Sequence, residues 1–251
     1  MGVACRVSIL ILAAACGAST GSSPDGGGGN GDGGGGGGDG STTGDAGLCG
    51  VLTATYRDFR ADHPDFEAAL GDDRGVVRTE LGVDGKPVFA LAGASATISG
   101  AASFDQWYRD VPGTNLTFTQ QLPLVEGPPG TFVHDDPTFF PLDGMGFPGE
   151  EVSGHNFHFT TEIHATFQYR GGETFQVTGD DDVWVFVNRK LALDLGGVHG
   201  AQSATIDFDA LAATLGISPG NKYPLDVFHA ERHTVESNFR MTTTIDCFII
   251  Q

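Results

Sequence analysis

Between residues 157 and 167 the chain reads Phe157-His158-Phe159-Thr160-Thr161-Glu162-Ile163-His164-Ala165-Thr166-Phe167, with apolar residues on odd positions and polar ones on even positions. A period of two is the signature of a β-strand with one buried and one solvated face. Thr174-Phe175-Gln176-Val177 repeats the pattern after Gly171-Gly172, which predicts a hairpin between the two strands. Further short runs at 183–187, 190–195, 204–208, 223–228 and 239–245 read as strands, and only 209–215 reads as a helix. Many short strands joined by Gly, Pro and Asp turns predict an all-β domain, a jelly-roll-like β-sandwich.

The glycines, 39 in 251 residues, are concentrated in a segment that cannot take part in this core. Residues 16–47 are almost wholly Gly, Ser, Thr and Asp without an aromatic ring, so nothing offsets the entropy of ordering them. They are expected to form a flexible linker with a reach on the order of 30 Å. Ahead of it, residues 1–15 hold one basic residue, Arg6, the apolar run 7–12 and the small residues Ala13-Ala14-Ala15, which read as a signal peptide. Small residues before Cys16 also suit lipoprotein processing, so the chain is expected to be exported. It ends either as an outer-surface lipoprotein acylated on Cys16 or as a secreted protein cleaved near Ala15.

Residues 48–251 are then one domain of about 200 residues, ample for a substantial core. Of the four cysteines, Cys49 and Cys247 remain at its two ends, and in an exported chain such a pair reads as a disulfide. Thirteen basic against 32 acidic side chains give a net charge of -19, which argues against nucleic acid and against direct adsorption to an anionic membrane. Contact with a membrane is expected only through a lipid anchor. The same balance suits divalent cations and neutral, hydroxyl-rich ligands.

Three adjacent carboxylates, Asp180-Asp181-Asp182, precede the apolar run Val183-Trp184-Val185-Phe186-Val187. Mutual repulsion calls for counter-charge, and an oxygen-rich turn of this kind suits Ca²⁺; a solvated acidic turn is the plainer alternative. His158, Glu162 and His164 share one strand face, but residues six apart are about 20 Å apart along a strand, so they cannot hold one ion. The polar face is expected to be the wet surface of a sheet. Neither a nucleophile elbow nor a metalloprotease helix is present, and no catalytic residue is assigned.

Together with Arg57-Asp58-Phe59, His63-Pro64-Asp65-Phe66-Glu67, Trp107 to Gly113, Phe140 to Gly144, His155 to Glu162 and His229-Ala230-Glu231-Arg232-His233, the triplet segment resembles the fibro-slime domain, which is similar to the protective-antigen-type lectin sandwiches. The resemblance implies a non-catalytic, calcium-dependent module for carbohydrate binding or adhesion, with a surface or extracellular polysaccharide as partner. It implies that Asp180 and Asp181, joined by a cis peptide, bind Ca²⁺ as the cofactor, with Glu231 and Asn238 from a later loop completing the shell. Asp182, His199, Arg232 and His233 are then expected beside the ligand, and Trp107 or Trp184 to stack on sugar faces, although the strand pattern draws Trp184 into the core. Arg189 stands where the relatives have glycine. The rival reading is a structural or protein-binding matrix module in which calcium only stiffens loops.

Overall fold

In the computed structural model the described residues are 51–234 and 236–250. The expected signal peptide, linker, Cys16 and Cys49 therefore lie outside the described residues, whereas Cys247 lies inside them.

The first sheet has the order β3 (Asn115–Pro123), β1 (Val51–Phe59), β6 (Phe159–Gln168), β12 (Lys222–Glu231), β8 (Asp182–Val187) and β9 (Lys190–Leu195), with β14 (Phe248–Ile250) also paired to β6. The second has the order β11 (Gln202–Asp207), β7 (Thr174–Gly179), β13 (Phe239–Thr243), β5 (Phe132–Asp136) and β4 (Val125–Glu126). A short ribbon joins β10 (Gly197–Val198) to β2 (Gly71–Asp72). Two helices accompany the strands, α1 (Ala101–Phe104) and α2 (Phe208–Leu215). The second is capped by the Asp207 carboxylate and closed by Gly216 at φ 70°. The all-β sandwich expected from the alternating runs is the fold observed.

The main core lies between the two sheets and includes Phe159, Ile163, Phe167, Phe175, Val177, Val185, Val227 and Met241, all buried. β6 and β12 pair over ten residues, from Lys222 opposite Gln168 to Glu231 opposite Phe159, and this long ladder forms the backbone of the first sheet. Between β8 and β9 the turn residues Asn188 and Arg189 have φ of 50° and 65°. Arg189 thus takes up the left-handed conformation that glycine adopts most readily.

Two expectations need correction. The strands before and after Gly171-Gly172 do not form a hairpin, because β6 is flanked by β12 on one side and by β1 and β14 on the other. No edge is left for β7, so the double-glycine turn carries the chain into the second sheet. The first even positions of the run are also dry: His158, Thr160 and Glu162 are 1%, 0% and 2% exposed, whereas His164 and Thr166 are half-buried and Gln168 is exposed. A second core covers that face, built from Val76, Val77, Leu81, Phe89, Phe104 and Trp107 packed against Trp184, Phe186 and Phe228 of the first sheet. Periodicity in one strand signals two unlike faces, but it cannot show that an earlier segment of the chain folds back over the more polar one.

Candidate functional site

Every residue of the acidic triplet is buried, and Arg232 serves two of the three carboxylates. The chain enters the triplet at Gly179, where a side chain would bring its Cβ within 2.6 Å of Val183 Cγ2. The peptide bond between Asp180 and Asp181 is cis. Asp180 Oδ2 accepts from Asn238 Nδ2 at 2.8 Å, and its Oδ1 accepts from the Asn238 backbone N–H. Asp181 Oδ1 accepts from the His199 N–H and Oδ2 from the Arg232 N–H, both at 3.0 Å. Each of the first two aspartates thus ties β7 or β8 to a later loop.

Asp182 faces the other way. Its Oδ2 pairs with Arg232 Nε at 2.5 Å, both side chains being fully buried, and its Oδ1 accepts from the Gly197 N–H at 2.7 Å. Gly197, at φ 128°, has the Gly71 and Asp73 backbone so close that no Cβ fits there. The remaining guanidinium N–H groups of Arg232 donate to Asp65 O, Thr97 O and Thr97 Oγ1, and the group lies over the Trp107 ring at 4.8 Å. This corrects the expectation for Asp182 and Arg232, which form an internal ion pair and do not reach a ligand. Trp107 and Trp184 are 0% exposed, so neither ring is open to a sugar.

A cleft of about 290 Å³ opens beside the triplet, lined by Leu70, Asp180, Asp181, His199, Gly200, His233 and Glu236. The structure therefore brings four of the expected residues together, Asp180, Asp181, His199 and His233, and adds Leu70 and Glu236. Glu231, expected in a loop, is the last residue of β12; Glu236 and Asn238 follow in the loop, and no spacing rule singles Glu236 out. Leu70, 73% exposed, carried no signal in the sequence.

Behind the cleft the electrostatics are unbalanced. Glu231 is 1% exposed; its Oε1 accepts from the His233 N–H at 3.4 Å, and the Ser237 hydroxyl lies near its carboxyl. Burial, then the charges of Asp181 and Asp180, hold its acidity far weaker than that of an ordinary carboxyl. Asp181 is pushed up to about 7 by burial and by the charge of Asp182, against the pull of Arg232 and its two backbone donors. Asp180 is also raised, chiefly by burial. His229, fully buried, bonds Asp180 O through Nε2 at 3.0 Å and Thr161 Oγ1 through Nδ1 at 3.2 Å. Its burial keeps it neutral, with a pKa lowered to about 4. It therefore braces the aspartate backbone without adding the positive charge that the cluster lacks.

Asp180, Asp181, Glu231 and Asn238 offer oxygen atoms, the chemistry that hard cations select. Among the described residues, no three His, Cys, Asp or Glu side chains already converge as a metal cage. The histidines in and just before β6 are engaged elsewhere: His158 pairs with Glu67 at 2.8 Å, and His164 bonds Glu162 and Asp226.

Residues 110–246 match the family described as the PA14 domain. The Dictyostelium discoideum protein psiR is 39% identical over 213 residues, covering 78% of this chain and 21% of psiR. Protein psiD of the same organism is 38% identical over 212 residues, covering 78% of this chain and 41% of psiD. The chain thus spans less than half the length of these curated relatives. Among solved structures, a PA14 sugar-binding domain from an RTX adhesin aligns with 78% of this chain and 89% of its own at 11% identity and a TM-score of 0.36. The PA14 domain of the antifreeze protein MpAFP aligns with 79% and 90% at 9% identity and a TM-score of 0.37.

Proposed function

From the premise that this chain belongs to the PA14 domain family, we propose that it is a non-catalytic carbohydrate-binding or adhesion module of an exported protein, of the fibro-slime type, whose cleft works with calcium. No helix among the described residues is long and apolar enough to cross a membrane, and in this reading attachment rests on acylation of Cys16. Closure of the domain by a Cys49–Cys247 disulfide belongs to the same reading and is supported by Cys247 being disulfide-bonded.

The observation that carries the calcium assignment is the buried Glu231 carboxyl gathered with those of Asp180 and Asp181, with no Lys or Arg among the described residues lining the cleft. Burying an uncompensated carboxylate costs several kcal/mol, and a divalent cation offsets that cost better than water does. Asp180, Asp181, Glu231 and Asn238 would hold the ion. When bound, calcium neutralises the cluster and accepts hydroxyl oxygens as ligands. Asn238 and the N–H groups of His199 and Arg232 fix the aspartates in place, and His199, His233 and Glu236 present polar atoms to a hydroxylated ligand at the cleft mouth.

Calorimetric titration of the whole chain with Ca²⁺, alongside melting in calcium and in chelator, tests this. Saturable binding and a raised melting temperature are expected. Glu231→Gln removes the ionisable oxygen while keeping the volume, so it is expected to leave the melting temperature in chelator nearly unchanged and to abolish the calcium-induced increase. A full calcium response in that variant would overturn the assignment.

One observation favours the matrix reading: both oxygens of Asp181 are already bound to loop N–H groups, which stitches the cleft together without a ligand. A glycan array with and without chelator separates the two. Calcium binding without any glycan signal would favour a structural module.

A further inference from the structure

The cleft beside the aspartates does not end at Glu236. That residue also lines a second depression of about 260 Å³, together with Pro137, Thr138, Phe140, Ser237 and Asn238. Thr138 and Phe140 in turn line a third, of about 210 Å³, whose wall includes Gln120, Gln121, His134 and Asp136. The segments forming these walls are fixed to one another. Phe139 N–H donates to Ser237 O at 3.0 Å, and Ser237 Oγ donates to Phe139 O at 2.7 Å, so Phe140 is locked beside the loop that carries Glu236 and Asn238.

Phe140 is the one half-buried Phe, Tyr or Trp among the described residues lining the three depressions; Tyr56 and Phe139 in the third are buried. Its ring is braced from behind. His155 stacks on it at 4.1 Å and 19°, Phe157 meets it edge-on at 4.8 Å, and His155 Nδ1 is held by Asp143 Oδ2 at 2.6 Å. A ring with one face packed and its orientation fixed loses little entropy when a ligand covers its other side. Among the described residues, no Lys or Arg lines any of the three depressions.

We propose that these depressions form one groove for a neutral oligosaccharide chain, in which the Asp180–Asp181 cleft takes one sugar and the His155-backed ring of Phe140 is the platform for the next. This rests on the carbohydrate reading above and goes beyond it by naming the ligand as an uncharged chain of at least two units. Acidic chains carrying uronate or sulfate are rejected, because a groove with acidic walls and no cationic side chain cannot balance them.

The test is calorimetry of the whole chain in calcium against ladders of one to five units of β-1,4-glucose, β-1,4-N-acetylglucosamine and α-1,2-mannose, with heparin as the acidic chain. Affinity is expected to rise roughly tenfold from one unit to two or three on the ladder that binds, and not for heparin. Phe140→Leu is expected to remove that gain while leaving single-unit binding and a cooperative melting transition in place, and Phe140→Tyr to retain the gain. Single-unit binding without a gain with length, or a gain that survives in Phe140→Leu, overturns the groove and leaves the carbohydrate reading standing. Preferential binding of heparin overturns the neutral-chain assignment. Binding to none of the ladders overturns both.

Discussion

Arg232 shows how one side chain can hold a site together without touching its ligand. Its guanidinium joins Asp182 at the start of β8 to Asp65 and Thr97 of the covering segment, while its backbone N–H holds Asp181. Removing one partner of such a buried pair strands the other charge in a medium that cannot solvate it, at a cost of about 3–5 kcal/mol. Arg232→Met is accordingly expected to lower stability by about that amount in urea unfolding and, under the calcium proposal, to weaken calcium binding because the N–H on Asp181 shifts with it. The double variant Arg232→Met with Asp182→Leu is expected to recover a large part of the loss, since an apolar pair leaves no orphaned charge. A double variant as unstable as the single one would show that the guanidinium bonds to Asp65 and Thr97, not the ion pair, carry the energy. From the sequence Arg232 resembled a ligand-side residue, because a charged residue in a polar loop gives no sign of the direction in which it points.

At the scale of the element, the polar face of β6 contains a chain of charge. Glu162 accepts from Arg57 at 2.7 Å and also pairs with Lys86 and His164, while His164 bonds Asp226 of the neighbouring β12 at 2.6 Å and Arg57 bonds Asp110 at 2.9 Å. Burial alone would raise Glu162, but its hydrogen bonds from His164 and Lys86 and their charges bring it from its ordinary 4.5 down to about 2. Burial alone would lower His164, but Asp226 and Glu162 together lift it from 6.5 to about 9. The two groups therefore contribute in opposite directions of pH. Stability from Glu162 is present above pH 4.5 and is lost as pH falls toward 2; stability from His164 is present below pH 6.5 and is lost as pH rises through 9. Urea midpoints measured across pH are expected to be highest, as far as these two groups decide it, between about 4.5 and 6.5. His164→Gln is expected to flatten the decline between 6.5 and 9, and an unaltered alkaline limb in that variant would place the titration elsewhere. The strand itself was legible, since the period of two marks residues 159–168 closely. Its partners were not, because which side chains lie opposite Glu162 depends on Lys86 and Arg57, 76 and 105 residues away in sequence. The same limit explains the misread hairpin at Gly171-Gly172: local turn chemistry is shared by hairpins and by crossings between sheets, and only the occupancy of both sides of β6 decides between them.

For the whole molecule, the family match begins at residue 110, yet the architecture begins earlier. β1 is an interior strand, registered against β3 from Val51 opposite Pro123 to Phe59 opposite Asn115, and against β6 from Ala54 opposite Ile163 to Asp58 opposite Phe159. The segment between β1 and residue 110 supplies Val76, Val77, Leu81, Phe89, Ile98, Phe104, Trp107 and Tyr108 to the second core, which closes over Trp184, Phe186 and Phe228. It also supplies the groups that Arg232 grips from the far side. A chain starting at residue 110 would leave β3 detached from the sheet and β6 without its β1 ladder. It would also expose an aromatic face of the first sheet, each large side chain there forfeiting about 1.5–3 kcal/mol of burial. Since a domain of this size retains only about 5–15 kcal/mol of net stability, that loss exceeds what the sandwich has to spare. The truncated chain is therefore expected to be insoluble or to lack a cooperative transition. In the full chain, tryptophan emission and far-ultraviolet circular dichroism are expected to change at the same urea concentration, because both tryptophans sit in the second core while most strands border the first. Tryptophan emission changing well before the strands melt would show the covering layer to be a separate unit, and a sharp transition in the truncated chain would show that residues 110–251 carry the fold alone.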